Sequence, residues 1–332
     1  MRIVLLICLS AIPLGARIQA VTTDGEISAP RFAEGDLDGD GRTELVVAGR
    51  VGAFRPVTDP LMGRRARIEL QNVENGLLRP VAHNDEMPVV EDVAVGDVDG
   101  DGREEIVAVG WYRLWTLRLQ GGALVVVGSD LLATGQFGRV AVADLDGDDQ
   151  VEVVTAESLR EPGSEVGSTA ISVYRFERLE GVEGQWRRVA RMELAGHVGD
   201  LCMGNLGTDG RASLALELGG EEVGGLVQLY DFHGFEPQLR HSQQLTREHV
   251  RALSLGLRRV AGRSLLAVGA IGGQIGLWEP RSNGLGEVAV LRMPNGPLYG
   301  VHLTQLFAVD GIQVLSGVGG RGRGEVWMSD GF

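Results

Sequence analysis

Apolar residues recur along this chain in short runs separated by Gly, Asp and Pro, a pattern that predicts many short β-strands. The runs at 140–143, 151–156, 171–176 and 187–194 show it best, with Val, Ile and Tyr prominent in the first three. No helical period extends beyond about two turns, so the chain reads as all-β. Four strands in succession make one unit, and the unit repeats.

Three segments superpose directly: GDLDGDGRTELVVAG from Gly35, GDVDGDGREEIVAVG from Gly96 and ADLDGDDQVEVVTAE from Ala143. A fourth, GNLGTDGRASLALEL from Gly204, keeps the frame and loses most of the acids. Two further copies keep only the strands, at 250–257 with 264–270 and at 299–309 with 312–318. A late aromatic marks the third strand of five copies: Trp115, Tyr174, Tyr230, Trp278 and Trp327. Tandem four-stranded units of about 40–60 residues predict a β-propeller. The expected fold is a six-bladed propeller of four-stranded blades. The sixth copy runs out after three strands, so the segment 18–28 is expected to supply its fourth, closing the ring and removing two sheet edges.

The acidic segments share the spacing Asp-x-Asp-x-Asp-x-x-x-Glu, with Gly at the sixth place in the first two and Asp149 there in the third. Several carboxylates so close repel one another unless a cation lies among them, and calcium takes about six to eight hard oxygens. The candidate metal ligands are Asp36, Asp38, Asp40, the Arg42 carbonyl and Glu44 in loop one. Loop two offers Asp97, Asp99, Asp101, the Arg103 carbonyl and Glu105; loop three offers Asp144, Asp146, Asp148, the Gln150 carbonyl and Glu152. One ion per loop makes about three calcium ions. Gly39, Gly41, Gly100, Gly102 and Gly147 permit the tight turn. An EF-hand would need flanking helices and a Glu at position twelve. The fourth loop, with Asn205, Gly207, Asp209 and Ser213, is expected to be empty.

These loops and their flanking strands resemble the FG-GAP repeats of integrin-α-type, VCBS-like calcium-binding propellers. Val-Gly-Ala at 268–270 is the nearest counterpart of that family's element after the second strand. The resemblance implies calcium as a structural clamp between the first and second strands of a blade. It also implies extracellular adhesion or ligand binding on the opposite face.

Composition narrows the chemistry. All 31 basic residues are Arg and none is Lys, which excludes Schiff-base and P-loop lysines. A net charge of −14 argues against nucleic acid. The 50 Gly residues, about twice the usual share, fit many tight turns. Arg2 followed by the apolar run 3–12 reads as an export signal. Cleavage is expected after Ala16 or Ala20, Ala20 being preferred, which makes 1–20 the signal and 21–332 one propeller domain. No other run is long enough for a transmembrane segment. Cys8 would leave with the signal, and Cys202 lies in an apolar strand and reads as core.

Opposite the acidic loops, the connections deliver Asp85, Glu86, Glu91, His197, Asp200, Glu248, His249, Arg251, Tyr299 and His302 toward a central mouth. His197, His249 and His302 start successive copies and admit a metal or acid–base cluster, or simply hydrogen-bonded loop residues. Trp111 and Tyr112 offer a stacking surface for a sugar. The connections 49–66, with four arginines, 157–169 and the Gly-rich 319–324 are candidate binding loops or solvated variable ones. The expected function is a secreted, periplasmic or cell-surface adhesion module for a protein or carbohydrate ligand. A polysaccharide lyase or hydrolase on the same scaffold, using a pair such as Glu86 and Glu248, is the alternative. An intracellular WD-repeat-like scaffold is a third: Trp278-Glu279 and Tyr230-Asp231 imitate its dipeptide.

Overall fold

The computed structural model describes residues 17–21, 27–51, 65–74, 77–131, 136–159, 167–177, 184–205, 212–219, 225–245, 252–260, 263–270, 273–292, 298–304, 313–320 and 323–330. β1 (Arg17–Val21) opens them. β2 (Ile27–Gly35), β3 (Glu44–Val51), β4 (Arg65–Glu74) and β5 (Leu77–Asn84) form the first sheet. The second holds β6 (Asp92–Gly96), β7 (Glu105–Gly110), β8 (Arg113–Gln120) and β9 (Ala123–Leu131). The third holds β10 (Gln136–Ala143), β11 (Glu152–Leu159), β12 (Ser168–Glu177) and β13 (Gln185–Ala195). The fourth holds β14 (His197–Gly204), β15 (Ser213–Gly219), β16 (Leu226–His233) and β17 (Glu236–Gln244). The fifth holds β18 (Ala252–Val260), β19 (Arg263–Ala270), β20 (Gln274–Arg281) and β21 (Gly284–Arg292). In the last, β22 (Leu298–Thr304), β23 (Gln313–Gly320) and β24 (Arg323–Asp330) are joined by β1. The protein is thus an all-β propeller of four-stranded blades, each an antiparallel meander.

Position in the sheet explains each strand's sequence. Second strands are buried on both faces, so β3 and β7 read as nearly continuous apolar runs such as Leu45–Ala48 and Ile106–Val109. Outermost strands have one face in water, so β9 and β17 alternate buried or half-buried with exposed residues. The core lies between neighbouring sheets. Val46, Ile68 and Leu70 of the first sheet pack with Ile106, Trp115 and Leu117 of the second. Leu315 of β23 packs with Ile27, Leu45 and Val47 of the first sheet. Innermost strands touch in the order β2, β6, β10, β14, β18, β22, and β22 touches β2 again. Where β22 and β23 meet β2, a Cβ on Gly300 would lie 2.3 Å from the Pro30 carbonyl oxygen, so only glycine allows the approach.

Three sequence expectations need adjustment. The stretch 18–28 is not one strand: β1 pairs with β24 from Arg17↔Asp330 to Val21↔Val326, whereas Ile27 onward belongs to β2. Residues 1–16, which hold most of the expected export signal, lie outside the described residues. The aromatic marker is two markers. Tyr174, Tyr230 and Trp278 pair with Val153, Leu214 and Leu266 at one register position. Trp115 and Trp327 pair with Ala108 and Ser316, two residues earlier in their strands. The Gly-rich stretch 319–324 is mostly strand rather than a long loop, since Gly319 pairs with Gly324 and Gly320 with Arg323. Residues 52–64 and 160–166 of the other two connections lie outside the described residues.

Candidate functional site

The acidic loops join the first and second strands of three consecutive sheets. In each, three acidic oxygens lie within 4.8 Å of one another: from Asp36, Asp38 and Asp40; from Asp97, Asp99 and Asp101; and from Asp144, Asp146 and Glu152. The backbone builds these groups from within. Gly39 N and Gly41 N donate to the two oxygens of Asp36 at 2.8 and 2.9 Å, and Arg42 N donates to Asp40 at 2.8 Å. Loop three repeats this, with Gly147 N and Asp149 N donating to Asp144 at 2.7 and 3.1 Å. Such bonds need left-handed backbone at two places per loop: Gly39 and Gly41, Gly100 and Gly102, Gly147 and Asp149. Aspartate is among the few side chains that tolerate that region.

The last acid sits beneath each loop. Glu44, Glu105 and Glu152 are buried and accept from Leu37 N, Val98 N and Leu145 N at 2.9, 3.2 and 3.0 Å. Burial pushes the Glu44 carboxyl up to about 7, with the Leu37 N–H opposing and Asp38, Asp36 and Asp40 adding to the rise. Burial, then the Asp99 charge, brings Glu105 to about 7, and burial raises Glu152 as well. An all-oxygen donor set whose charge is costly to leave uncompensated suits a hard cation such as calcium. In loop three the Gln150 side chain is tied to Phe176 O at 2.9 Å. Of the fourth loop only Asn205 and residues from Ala212 are described; Asp209 lies outside.

A second polar feature, of which the sequence made only Asp200 and His302 legible, lines the central channel. Arg31, Asp92, Arg139 and Asp200 occupy one register position in β2, β6, β10 and β14, opposite Ala48, Val109, Ala156 and Glu217. Their charges alternate around the channel. β-bulges immediately precede Arg31, Arg139 and Asp200 and turn them inward. Arg31 reaches Asp200 at 3.1 Å, and Arg139 lies 2.8 Å from its other oxygen. Asp92 accepts from Val140 N at 3.1 Å. Burial pushes the Asp92 carboxyl up to about 6, against the pull of Arg31 and Arg139. Burial weakens the charged form of Arg31, but Asp200 and then Asp92 outweigh it and raise its pKa; burial, then repulsion by Arg31, lowers that of Arg139. Glu34, Arg258 and His302 form a second group, with Arg258 and His302 both on Glu34. Burial, then Arg258, lowers His302 to about 3. A cavity of about 180 Å³ lies among these groups.

Of the residues that the sequence directed to a mouth, the structure brings Asp200 and His302 to one cavity and spreads out the others. Asp85 pairs with Arg67 at 2.7 Å, Glu91 with Arg50 at 3.2 Å, and Asp200 is in the channel. His197 begins β14, exposed and 3.1 Å from Ser158 Oγ, whereas His302 lies two residues from the end of β22, so these two are not brought together. His249, Glu248 and Arg251 lie outside the described residues, as does the Tyr299 side chain. Glu86 is exposed; Trp111 adopts φ 51 beside exposed Tyr112 in the turn between β7 and β8. Cys202 is half-buried in the channel wall rather than deep in the core, and burial raises its thiol well above the usual value, as expected of an inert cysteine.

Residues 97–155 match the family model of an FG-GAP-like repeat. The match runs from the first acid of loop two into β11 and so spans loops two and three. No curated protein matches the chain. No helix among the described residues is long and apolar enough to cross a membrane.

Proposed function

We propose that this chain, which carries an FG-GAP-like repeat at 97–155, is a calcium-clamped six-bladed propeller that acts outside the cytoplasm as a binding module. The observation that carries the reading is the set of three oxygen cages between first and second strands, which leaves the opposite ends of the sheets for a ligand. Asp85, Glu91 and Asp200 are each committed to arginines, which supports binding over catalysis by these three acids. The ligand is a protein or a glycan, with Trp111 and Tyr112 as a stacking surface. Panels of immobilised glycans and soluble proteins test it. Calcium-dependent retention, lowered about tenfold by Tyr112→Ala, is the expected result. Turnover of a polysaccharide without stable retention would instead establish the lyase or hydrolase alternative.

β1 also bears on export. Cleavage after Ala20 would leave only Val21 of the strand that pairs with β24, whereas cleavage after Ala16 keeps all of it. The domain boundary then moves to residue 17. N-terminal sequencing of exported protein is expected to begin at Arg17. A start at Val21 would separate β1 from the ring, and a start at Met1 would count against export by a cleaved signal.

A further inference from the structure

The three acidic loops are alike in sequence but differ in what reaches them from the third strand. Leu45, Ile106 and Val153 pair with Gln71, Leu117 and Tyr174, so Asn72, Arg118 and Arg175 hold one equivalent position. A β-bulge immediately before each of Gln71, Leu117 and Tyr174, in the pairing to the fourth strand, fixes the direction of the residue that follows.

In loop two, Arg118 Nε donates to Glu105 Oε1 at 2.8 Å, and Nη2 donates to Asp101 Oδ2 at 2.9 Å and to Asp99 Oδ2. In loop three, Arg175 Nε donates to Glu152 Oε1 at 2.7 Å, while Nη2 donates to Asp146 Oδ2 at 2.8 Å and lies 3.0 Å from Asp148 Oδ2. Backbone N–H groups hold the other oxygens of Asp101, Glu105, Asp148 and Glu152. The arginines therefore occupy the oxygens that face outward from the loop backbone, which are the ones an ion would need. Loop one differs. Among the described residues no hydrogen bond or ion pair reaches Asp38 Oδ2, Asp40 Oδ2 or Glu44 Oε1. Asn72 Oδ1 is shielded from solvent and has no hydrogen-bond partner. The fourth sheet has no such carboxylate–guanidinium pair at these positions. Ser213 stands in place of the buried Glu, and the third-strand position is Asp231, which accepts from Ser213 Oγ at 3.0 Å. The third strand thus sets a cation against the acidic loop in the second and third sheets, an amide in the first and an acid in the fourth.

We infer that Arg118 and Arg175 are built-in cations that compete with calcium for loops two and three, leaving loop one, under Asn72, as the site of highest calcium affinity. The inference rests on the reading that these loops take calcium. A guanidinium within contact distance of the same carboxylates both repels a dication and must be displaced by it, which weakens binding by about tenfold or more.

Calcium titration by calorimetry, with melting curves in chelator, tests this on the full chain. The wild type is expected to show one tighter site, lost in Asp38→Ala, and two sites about tenfold weaker. Arg118→Gln and Arg175→Gln should each tighten one weak site about tenfold and lower the metal-free melting temperature, while Asn72→Arg should weaken the tight site. Calcium binding with three equal sites, or with affinities that Arg118→Gln and Arg175→Gln leave unchanged or lower, would overturn the inference and keep the calcium reading. No binding in the wild type or in any variant at 10 mM Ca²⁺, about a hundredfold above the tighter of the usual extracellular dissociation constants, would overturn both.

Discussion

Chelation is expected to lower the melting temperature of this protein more than most single substitutions do. A metal that binds the folded loop and hardly the unfolded one stabilises by mass action, about 2.7 kcal/mol per site at a hundredfold excess over Kd. Loop one alone would contribute that amount, and three independent filled loops about 8 kcal/mol, comparable with the net stability of a whole domain. The corresponding fall in melting temperature is on the order of 5–20 °C. Ca²⁺ should restore it and Mg²⁺ should do so poorly, because Mg²⁺ demands tighter octahedral geometry and gives up its water reluctantly. Asp38→Ala, Asp99→Ala and Asp146→Ala should each lower the stoichiometry at saturating calcium by one, whereas Asp209→Ala should leave it unchanged. Unfolding that is indifferent to calcium in differential scanning calorimetry would refute the clamp.

Asp200→Ala is expected to be the most damaging single substitution in the channel. Asp200 is 2% exposed and compensates two half-buried guanidiniums, Arg31 and Arg139. Its removal leaves them facing each other with Asp92, and more weakly Glu91, to offset them. Breaking a buried pair in this way costs about 3–5 kcal/mol, read as a lower denaturation midpoint. Glu177→Ala, which breaks a largely exposed pair with Arg187, should cost about 0–1 kcal/mol. Equal effects at the two sites would show that the channel network is not structural.

Asp92 adds a pH dependence of definite sign. Its carboxyl titrates at about 6 when folded, against 3.8 ordinarily, so between those values the folded protein holds a proton that the unfolded chain has released. The stability contributed by Asp92 is therefore fully present below about pH 4 and is lost as the pH rises through about 6. Asp92→Asn, which keeps an acceptor for Val140 N, should remove that slope. Relative to the wild type, the variant should gain stability progressively across this window. Parallel pH profiles for the two proteins would argue against a protonated Asp92.

The sequence by itself determined the repeating unit and the acidic loops, because both are local. Strand length, the Gly positions of the turns and the Asp spacing are all read within a dozen residues, and in each loop three of the four expected acids have oxygens within 4.8 Å of one another. It also located β22 and β23 from their apolar runs, the expected 305–309 and 312 lying outside the described residues. The tertiary structure alone decided what meets across the molecule. Arg31 and Asp200 are 169 positions apart, and nothing in either neighbourhood specifies the other. They meet because the innermost strands place the same register position around one channel, where a charge without a partner would be costly to bury. Arg118 and Arg175 lie 13 and 23 residues beyond the Glu that each binds, so no fixed spacing announces them. Sheet register and a β-bulge, not sequence distance, bring each guanidinium over its loop, and the same geometry leaves Asn72 over the first.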